Sequence, residues 1–435
     1  MKFVSTRNNS EQVSFSQAIL QSLAPDGGLY VPAYGENLSP WIMYMDENTS
    51  FQSIAGSLTA ALIKEEFSPI ISEAIASQAF PFSPVLQKLE NDLYVLELFH
   101  GPTGTHKDFG VSYLAACLEH ILLMKEKQAI IFSATEGETG ASVTCALRGK
   151  KHIKAVLLYA KGTARGFTDE DCVWNGGNIY PVEFDGDMKA CHAFVRNVYR
   201  QAETVKKYSL TPANTVNIGR LLPHTFLYMY AFSRLKKHVT GDLYYAMPAN
   251  NYGNLAAGLY SWKFSLPVNG FITNCTPSLS LDAKGKCSVL DSIVPLHERS
   301  HADPVKPSSI ERLEEIFATS PAVMKTLIFP AFTEDEELAE AAQHLFVKYG
   351  RFFDPGTVRA YVAAQKTNAF NAEAGSVVTL VSCNEPALSP ETIRLWCAEK
   401  PAMPERLKAV YAPQTNIKRI QGNIEEIEKI CAELI

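Results

Sequence analysis

The stretch LFHGPTGTHKDFG, from Leu98 to Gly110, sets one lysine, Lys107, between a Gly101-Pro102-Thr103-Gly104 turn and an apolar helical pattern running from Val111 to Met124. A strand-like run, Asp92 to Leu96, precedes it. Lys107 therefore stands at the start of a predicted helix, where the partial positive charge of the helix end disfavours a second cation. Two chemistries are open to it. Either it is solvated and balanced by Asp108, or it is desolvated, its pKa falls, and the neutral amine becomes a nucleophile toward a carbonyl. The glycine-rich run, which fixes backbone direction and lets another group approach closely, favours the second.

Three loops share a design that suits such a lysine. Asn250-Asn251-Tyr252-Gly253-Asn254 joins a strand to a helix, and amides at a helix N-terminus point outward with partial positive charge, a natural cradle for a phosphate. Thr135-Glu136-Gly137-Glu138-Thr139-Gly140 offers hydroxyls and amides to a carboxylate, although its two glutamates repel an anion unless they are protonated or turned away. Ser382, at the end of the run Leu380-Val381-Ser382-Cys383-Asn384, presents a hydroxyl. Each loop alone reads equally as an ordinary turn or sheet end. Together, a carbonyl-reactive lysine, a phosphate cradle, a carboxylate loop and a hydroxyl for a ring nitrogen fit the needs of pyridoxal 5'-phosphate.

The elements that must hold these residues follow an alternating rhythm. Strand-like runs at Ala129 to Phe132, Lys154 to Tyr159, Ile179 to Phe184, Leu243 to Met247, Gly270 to Thr273 and Val377 to Val381 are separated by helical stretches that include Asp187 to Tyr208 and Leu255 to Trp262. Such alternation predicts βαβ units and parallel sheets. Ahead of them lies a mostly helical region ending near Pro84, after an early turn at Ala24-Pro25-Asp26-Gly27-Gly28. The Ser-, Pro- and charge-rich segment from Thr276 to Pro321 reads as a long connection or lid-like insertion. These boundaries predict an N-terminal domain over 1–85, a large cofactor-binding domain over 86–115 and 205–435, and a small α/β domain over 116–204.

Bulk properties narrow the partners. A chain of 435 residues is too long for one simple core. Its net charge of -6 argues against nucleic acid or an anionic membrane, which call for a concentrated basic face. Nine scattered cysteines, odd in number and without a paired C-x-x-C, support neither a disulfide framework nor a structural zinc site. The first residues turn polar at once, and no apolar run reaches the roughly 18 to 20 residues of a membrane span. The sequence thus predicts a cytoplasmic protein acting on a small molecule, with no bound metal.

At this level the chain resembles the threonine synthase family, in particular its bacterial and fungal branch. The resemblance rests on Ser5-Thr6-Arg7, Val13-Ser14-Phe15, Leu23 through Pro32, His100-Gly101-Pro102-Thr103 with Lys107-Asp108-Phe109-Gly110, Lys161-Gly162, Gly176-Gly177-Asn178, Asn214 to Arg220, Pro248 to Gly258 and Asp354-Pro355. It implies the α/β fold called type II among pyridoxal-phosphate enzymes, with the cofactor between two parallel-sheet domains and a small N-terminal domain beside them. It also implies that Lys107 is the Schiff-base lysine and general base. Asn250, Asn251, Tyr252, Gly253 and Asn254 match the phosphate loop, with asparagine where the family usually has glycine. Ser382 matches a threonine that bonds the ring nitrogen and leaves it largely unprotonated. Glu138 matches an acid near the 3' oxygen and the substrate carboxylate. Thr135, Glu136, Gly137 and Thr139 fall in the carboxylate loop, and Arg220 matches an arginine near the substrate anion.

Departures cluster where the substrate is expected. His106 replaces a usual phenylalanine, Glu136 a serine and Ser112 a common arginine, while the run from Ser382 to Leu388 lacks the family's histidine and lysine and the Asp354-Pro355-Gly356-Thr357 run lacks the histidine after Pro355. Arg359 and His106 are candidate replacements. The resemblance implies a carbon–oxygen lyase making L-threonine from O-phosphohomoserine and water, as a monomer or homodimer. A different amino-acid substrate for the same cofactor, or a catalytically degenerate protein that binds the cofactor or an amino acid, are the alternatives.

Overall fold

The structure, a computed structural model, describes residues 1–289, 295–367, 374–415 and 417–435. Two parallel sheets dominate it. The larger has six strands in the order Ile328–Ala331, Gly270–Asn274, Leu243–Ala246, Val377–Ser382, Leu93–Glu97, Val85–Lys88, with only the last pair antiparallel. The smaller has five, in the order Lys418–Ile420, Ile179–Phe184, Ile153–Ala160, Ala129–Ala134, Leu210–Thr211, all parallel. The fold is therefore α/β, as the alternating rhythm predicts.

Both sheets are covered on both faces, which is why their strands read as unbroken apolar runs rather than alternating ones. Along Leu93–Glu97, Leu93 and Val95 join one core cluster while Tyr94 and Leu96 join another. In the small sheet Ile130, Phe132, Val156 and Leu158 face outward to a third cluster, and Ile131, Ala155 and Leu157 face the main core shared with the large sheet.

The helix Lys107–Met124 lies in that shared core, buried on nearly all sides. Phe109 packs edge-on against Phe51 at 5.4 Å and Phe82 at 5.0 Å, and Tyr113 stacks on Phe80 at 6.1 Å. These rings belong to the N-terminal helices Phe51–Leu62 and Pro69–Ala79 and the residues that follow them. Aromatic pairs of this kind add roughly 0.5–1.5 kcal/mol each beyond their buried area. The N-terminal region thus clamps the helix whose first residue is Lys107.

Several boundaries differ from the sequence reading. Helices begin at Lys107 and Glu138 rather than Val111 and Ala141, because each is launched directly by a shaped turn. The stretch Asp187 to Tyr208 is two helices, Met188–Tyr199 and Ala202–Lys207. Ile328–Ala331 escapes the pattern because it is short, sits at a sheet edge and carries Pro330. The strands Leu210–Thr211 and Lys418–Ile420 both pair into the small sheet, although the sequence reading put them in the large domain. Their brevity hides them.

The segment from Thr276 to Pro321 contains a hairpin of Leu279–Leu281 with Cys287–Val289 and the helix Ile310–Thr319. Residues 290–294 of that segment lie outside the described residues. Among the described residues no helix is long and apolar enough to cross a membrane.

Candidate active site

Lys107 owes its place to the turn before it. The buried Asp108 carboxylate accepts from the Thr103 amide at 2.8 Å and hydroxyl at 2.7 Å, and from the Ser142 hydroxyl at 2.9 Å. A side chain at Gly101 would lie 2.4 Å from that carboxylate, so only glycine lets the turn close. Burial nevertheless pushes the Asp108 carboxyl up from its ordinary range, against the pull of these donors and of Arg220. The Lys107 ammonium is bonded to the Glu138 carboxylate, and its side chain is 29% exposed. It is thus paired with Glu138.

Glu138 opens the helix Glu138–Leu147 and follows Gly137, whose φ of +126° is closed to other residues. The Thr135 hydroxyl oxygen accepts from the Gly137 amide at 3.0 Å and the Gly140 amide at 2.9 Å, so this side chain shapes the loop from within. The Glu136 side chain is exposed, while its carbonyl accepts from Arg165 Nη2 at 2.7 Å. The repulsion its charge implied is removed by that outward turn. Of the loop residues singled out, Thr139 lines the central cavity and Glu136 does not.

That cavity, about 350 Å³, is walled by Lys107, His106 and Thr139 on one side and by Asn250, Asn251, Gly253 and Asn254 on another. Asn250 has φ +43° and Tyr252 φ +62°, both left-handed. Asparagine tolerates that region better than most residues, which explains how the loop persists with asparagine at its turn. The Asn251 side chain holds the Gly253 amide at 3.1 Å and reaches the Thr215 hydroxyl at 3.2 Å, while Tyr252 turns its hydroxyl to Thr276 at 2.7 Å. The helix Gly253–Lys263 therefore begins at the cavity, with first-turn amides that have no intrahelical acceptor.

Beneath Lys107 lies a buried basic cluster. Arg220, 4% exposed, packs its guanidinium over Gly110, where an added Cβ would lie 1.9 Å from Nη1, and bonds His224 Nε2 at 2.5 Å. His224 Nδ1 meets the Asn254 amide oxygen at 3.1 Å, and the Asn254 nitrogen meets Cys383 Sγ at 3.1 Å. His106 stands edge-on to His224 at 5.5 Å, donates its backbone amide to the Cys383 carbonyl at 2.7 Å, and leaves Nδ1 without a partner. Burial, then the nearby Arg220 charge, pushes His224 down to about 3. Burial also drives His106 well below the usual histidine range, helped by His224, Arg220 and Lys107. Burial lowers Arg220 to about 10, opposed by Asp108. No carboxylate among the described residues is hydrogen-bonded to Arg220, an arrangement that invites an anionic ligand.

Ser382 is not among the residues lining this cavity, and its hydroxyl donates to Asp354 Oδ2 at 3.0 Å. Arg359 reaches Thr333 at 3.4 Å and Ser112 lies along the Lys107–Met124 helix; neither lines the cavity. Sequence reasoning missed His224, although its i,i+4 spacing from Arg220 was a usable signal. It also missed Arg312, whose fully buried guanidinium donates to the Thr215 carbonyl at 2.6 Å and the Val216 carbonyl at 3.0 Å, pinning the wall that holds Asn251. No sequence pattern marks such a long-range contact.

Comparison with known proteins bears on what this arrangement is. A family model described as pyridoxal-phosphate dependent enzyme matches residues 76–264, and one described as threonine synthase N terminus matches residues 2–80. The threonine synthase of Escherichia coli (strain K12) is 31% identical over 370 residues, spanning 83% of this chain and 84% of its own length. The chain belongs to the threonine synthase family. The crystal structure of the Escherichia coli family member covers 100% of both chains at a TM-score of 0.78 and 28% identity. That of a pyridoxal-phosphate-bound threonine synthase from Brucella melitensis, at 20% identity and a TM-score of 0.83, shares the fold. The fold is thus type II among pyridoxal-phosphate enzymes. Lys107, the Thr135 loop, Arg220 and the Asn250 loop all fall within the matched residues 76–264, whereas Ser382 and Asp354 lie beyond them.

Proposed function

We propose that the protein is a pyridoxal-phosphate-dependent carbon–oxygen lyase that converts O-phosphohomoserine and water to L-threonine and phosphate. The observation that carries this reading is the cavity itself, which sets the Lys107 amine opposite the amide-rich start of the helix Gly253–Lys263. An amine to anchor the cofactor's carbonyl and outward amides for its phosphate are the two groups that cofactor requires. Asn250, Asn251, Tyr252, Gly253 and Asn254 form the phosphate loop in this reading, and Ser382 faces the ring nitrogen.

When bound, the cofactor supplies an electron sink for charge developing on the substrate. The chain supplies the rest. The Lys107 amine would remove the proton at the substrate Cα and then one at Cβ as phosphate leaves from Cγ; the two protons return at Cγ and Cα, and water adds its hydroxyl at Cβ while its remaining proton leaves with the phosphate. Glu138 orients the Lys107 amine and holds its proton between steps, as its bond to that ammonium suggests. Thr135, Glu136, Gly137 and Thr139 frame the substrate carboxylate through the loop's amides and hydroxyls. Arg220, buried and with no carboxylate hydrogen-bonded to it among the described residues, meets the substrate's anion.

The domains in this reading are the N-terminal region over 1–85, the large domain around the six-stranded sheet, and the small domain over 116–204 extended by the strand pairing of Leu210–Thr211 and Lys418–Ile420. The protein works in the cytoplasm as a monomer or homodimer, without nucleic acid or membrane.

Borohydride reduction of the holoenzyme followed by peptide mapping tests the anchor, and phosphate release from O-phosphohomoserine with threonine as product tests the reaction. One observation favours a second reading with the same cofactor and another amino-acid substrate. The replacement candidate Arg359 is turned away to Thr333, so the cavity's only full cations among the described residues are Lys107 and Arg220. Fixation at Lys107 beside a dead phosphate assay selects that second reading.

A further inference from the structure

Two glycines with left-handed backbone shape the turns that launch Lys107 and Glu138: Gly104, at φ +71°, and Gly137, at φ +126°. Each is covered by a side chain lying where a Cβ would stand. A Cβ on Gly104 would meet Leu407 Cδ1 at 2.7 Å, and one on Gly137 would meet Arg165 Nε at 2.4 Å. Resting on the proposed roles of Lys107 and Glu138, we propose that residues 406–414 and Arg165 form one brace that holds these two turns in register, with Tyr411 and Arg165 as its positioning residues.

The first grip is on the turn before Lys107. The helix Glu405–Val410 lays the buried Leu407 against Gly104. Arg406 donates from Nη1 to the Gly101 carbonyl at 2.9 Å and from Nη2 to the Phe99 carbonyl at 3.1 Å, and the Tyr411 hydroxyl donates to the Thr103 carbonyl at 2.7 Å. Alternate carbonyls of the turn are thereby held from outside. Thr103 is also the residue whose amide and hydroxyl bind the Asp108 carboxylate, next to Lys107. Burial, then the nearby Glu138 charge, pushes the Tyr411 hydroxyl up, so it stays a neutral donor.

The second grip follows directly along the chain. Pro413 bridges Arg165 in antiparallel pairing, and the Gln414 amide donates to the Ala164 carbonyl at 2.8 Å. Arg165 in turn donates from Nε at 3.0 Å and Nη2 at 2.7 Å to the Glu136 carbonyl, just ahead of Glu138. The path from Thr103 to Glu136 thus runs through short pieces of backbone with a hydrogen bond at every junction. Lys107 and Glu138 follow strands of different sheets, so their meeting depends on the separation of two turns. A misplacement of about 1 Å at a reacting group can cost about 100-fold in rate, and the brace fixes that separation through backbone rather than through two long side chains.

Amide hydrogen exchange of the full-length protein without cofactor reads the coupling. Tyr411→Phe removes only a hydroxyl, and Arg165→Met removes only the donors at the far end. Each is expected to speed exchange roughly 2- to 10-fold, the shift in local opening that one hydrogen bond is worth, at both turns at once. The reporters are the amides of Thr103 and Gly104 on one side and of Gly137 and Gly140 on the other, with the helix Ile424–Leu434 unchanged. Exchange that rises only in the turn each substitution touches is the pattern of two independent tethers, and it overturns the proposal. In the holoenzyme, Tyr411→Phe is expected to lower kcat roughly tenfold at unchanged KM and to lower it no further in a Glu138→Gln background. Losses that multiply in that background also overturn it. Should Tyr411→Phe fail to fold, Arg165→Met and Arg406→Met carry the exchange test. Borohydride fixation at Lys107 is scored separately on the wild-type holoenzyme: its absence sinks the proposed function, whereas the exchange pattern judges the brace alone.

Discussion

The ammonium of Lys107 is bonded to the carboxylate of Glu138, joining the first residue of the helix that follows the large sheet's Leu93–Glu97 strand to the first residue of the helix that follows the small sheet's Ala129–Ala134 strand. Each sheet therefore delivers one half of the pair.

That pairing predicts distinct phenotypes for its members. Lys107→Ala is expected to abolish cofactor fixation and turnover, measured by borohydride trapping and by phosphate release. Glu138→Gln keeps shape but removes the charge that orients the amine, and turnover is expected to fall by at least about 100-fold, the lower range for a positioned acid–base group. Trapping in Glu138→Gln should persist. If its turnover matches the wild type, Glu138 has no part in proton handling.

Asn250 is held at φ +43°. Asn250→Gly should therefore keep or slightly raise thermal stability and cofactor affinity. Asn250→Ala should cost about 1–2 kcal/mol for the left-handed backbone. Thermal melts with and without cofactor check both, and equal melting points for the two variants would contradict the strain assigned here.

Arg312 ties the helix Ile310–Thr319 to the residues beside the cavity loop. It donates to the carbonyls of Thr215 and Val216, and Ser309 of the same turn gives its amide to the Asn251 carbonyl at 2.9 Å. Arg312→Met leaves buried carbonyls unsatisfied and is expected to cost about 3 kcal/mol. Because Thr215 bonds Asn251, cofactor affinity should weaken as well, visible by titrating cofactor into the apo-variant.

The buried histidines predict an acid-sensitive fold. Burial, and secondarily Arg220, lowers His224 to about 3 in the folded state against about 6.5 when unfolded, so between these values the unfolded chain binds the extra proton. Its stabilising contribution is complete above pH 6.5 and is lost progressively as pH falls toward 3. The slope is about 1.4 kcal/mol per pH unit for each such histidine, and His106 is depressed in the same direction. Denaturant midpoints across this window should show His224→Gln and His106→Phe each with a shallower pH dependence than the wild type. Parallel profiles would mean that the histidines titrate normally.

The sequence was most informative where function and local geometry coincide. Lys107 is legible from its turn, and the Asn250 loop from its strand–loop–helix context, because both depend on residues close in the chain. The strand runs of the sheet centres are legible because burial on both faces makes them uniformly apolar. What could not be read depends on distant partners. The Ser382 hydroxyl is visible in sequence, but its commitment to Asp354 across 28 positions is not. Arg312 looks like any helix-surface arginine until the fold brings carbonyls from 96 and 97 positions away. The short strands Leu210–Thr211 and Lys418–Ile420 carry too few residues for any pattern.

The last of these strands has a consequence for how the molecule is made. Lys418–Ile420 lies beside Ile179–Phe184 as the outermost strand of the small sheet, and the helix Ile424–Leu434 supplies Ile427, Ile430, Cys431 and Leu434 to the core on that sheet's outer face. During synthesis this piece emerges after every other strand of both sheets. Until then Ile179–Phe184 presents an unpaired edge and a bare apolar surface, the kind of exposure that invites association with other nascent chains. The small sheet, which carries Glu138, is therefore completed only after Val377–Ser382 has already closed the centre of the large sheet, which carries Lys107.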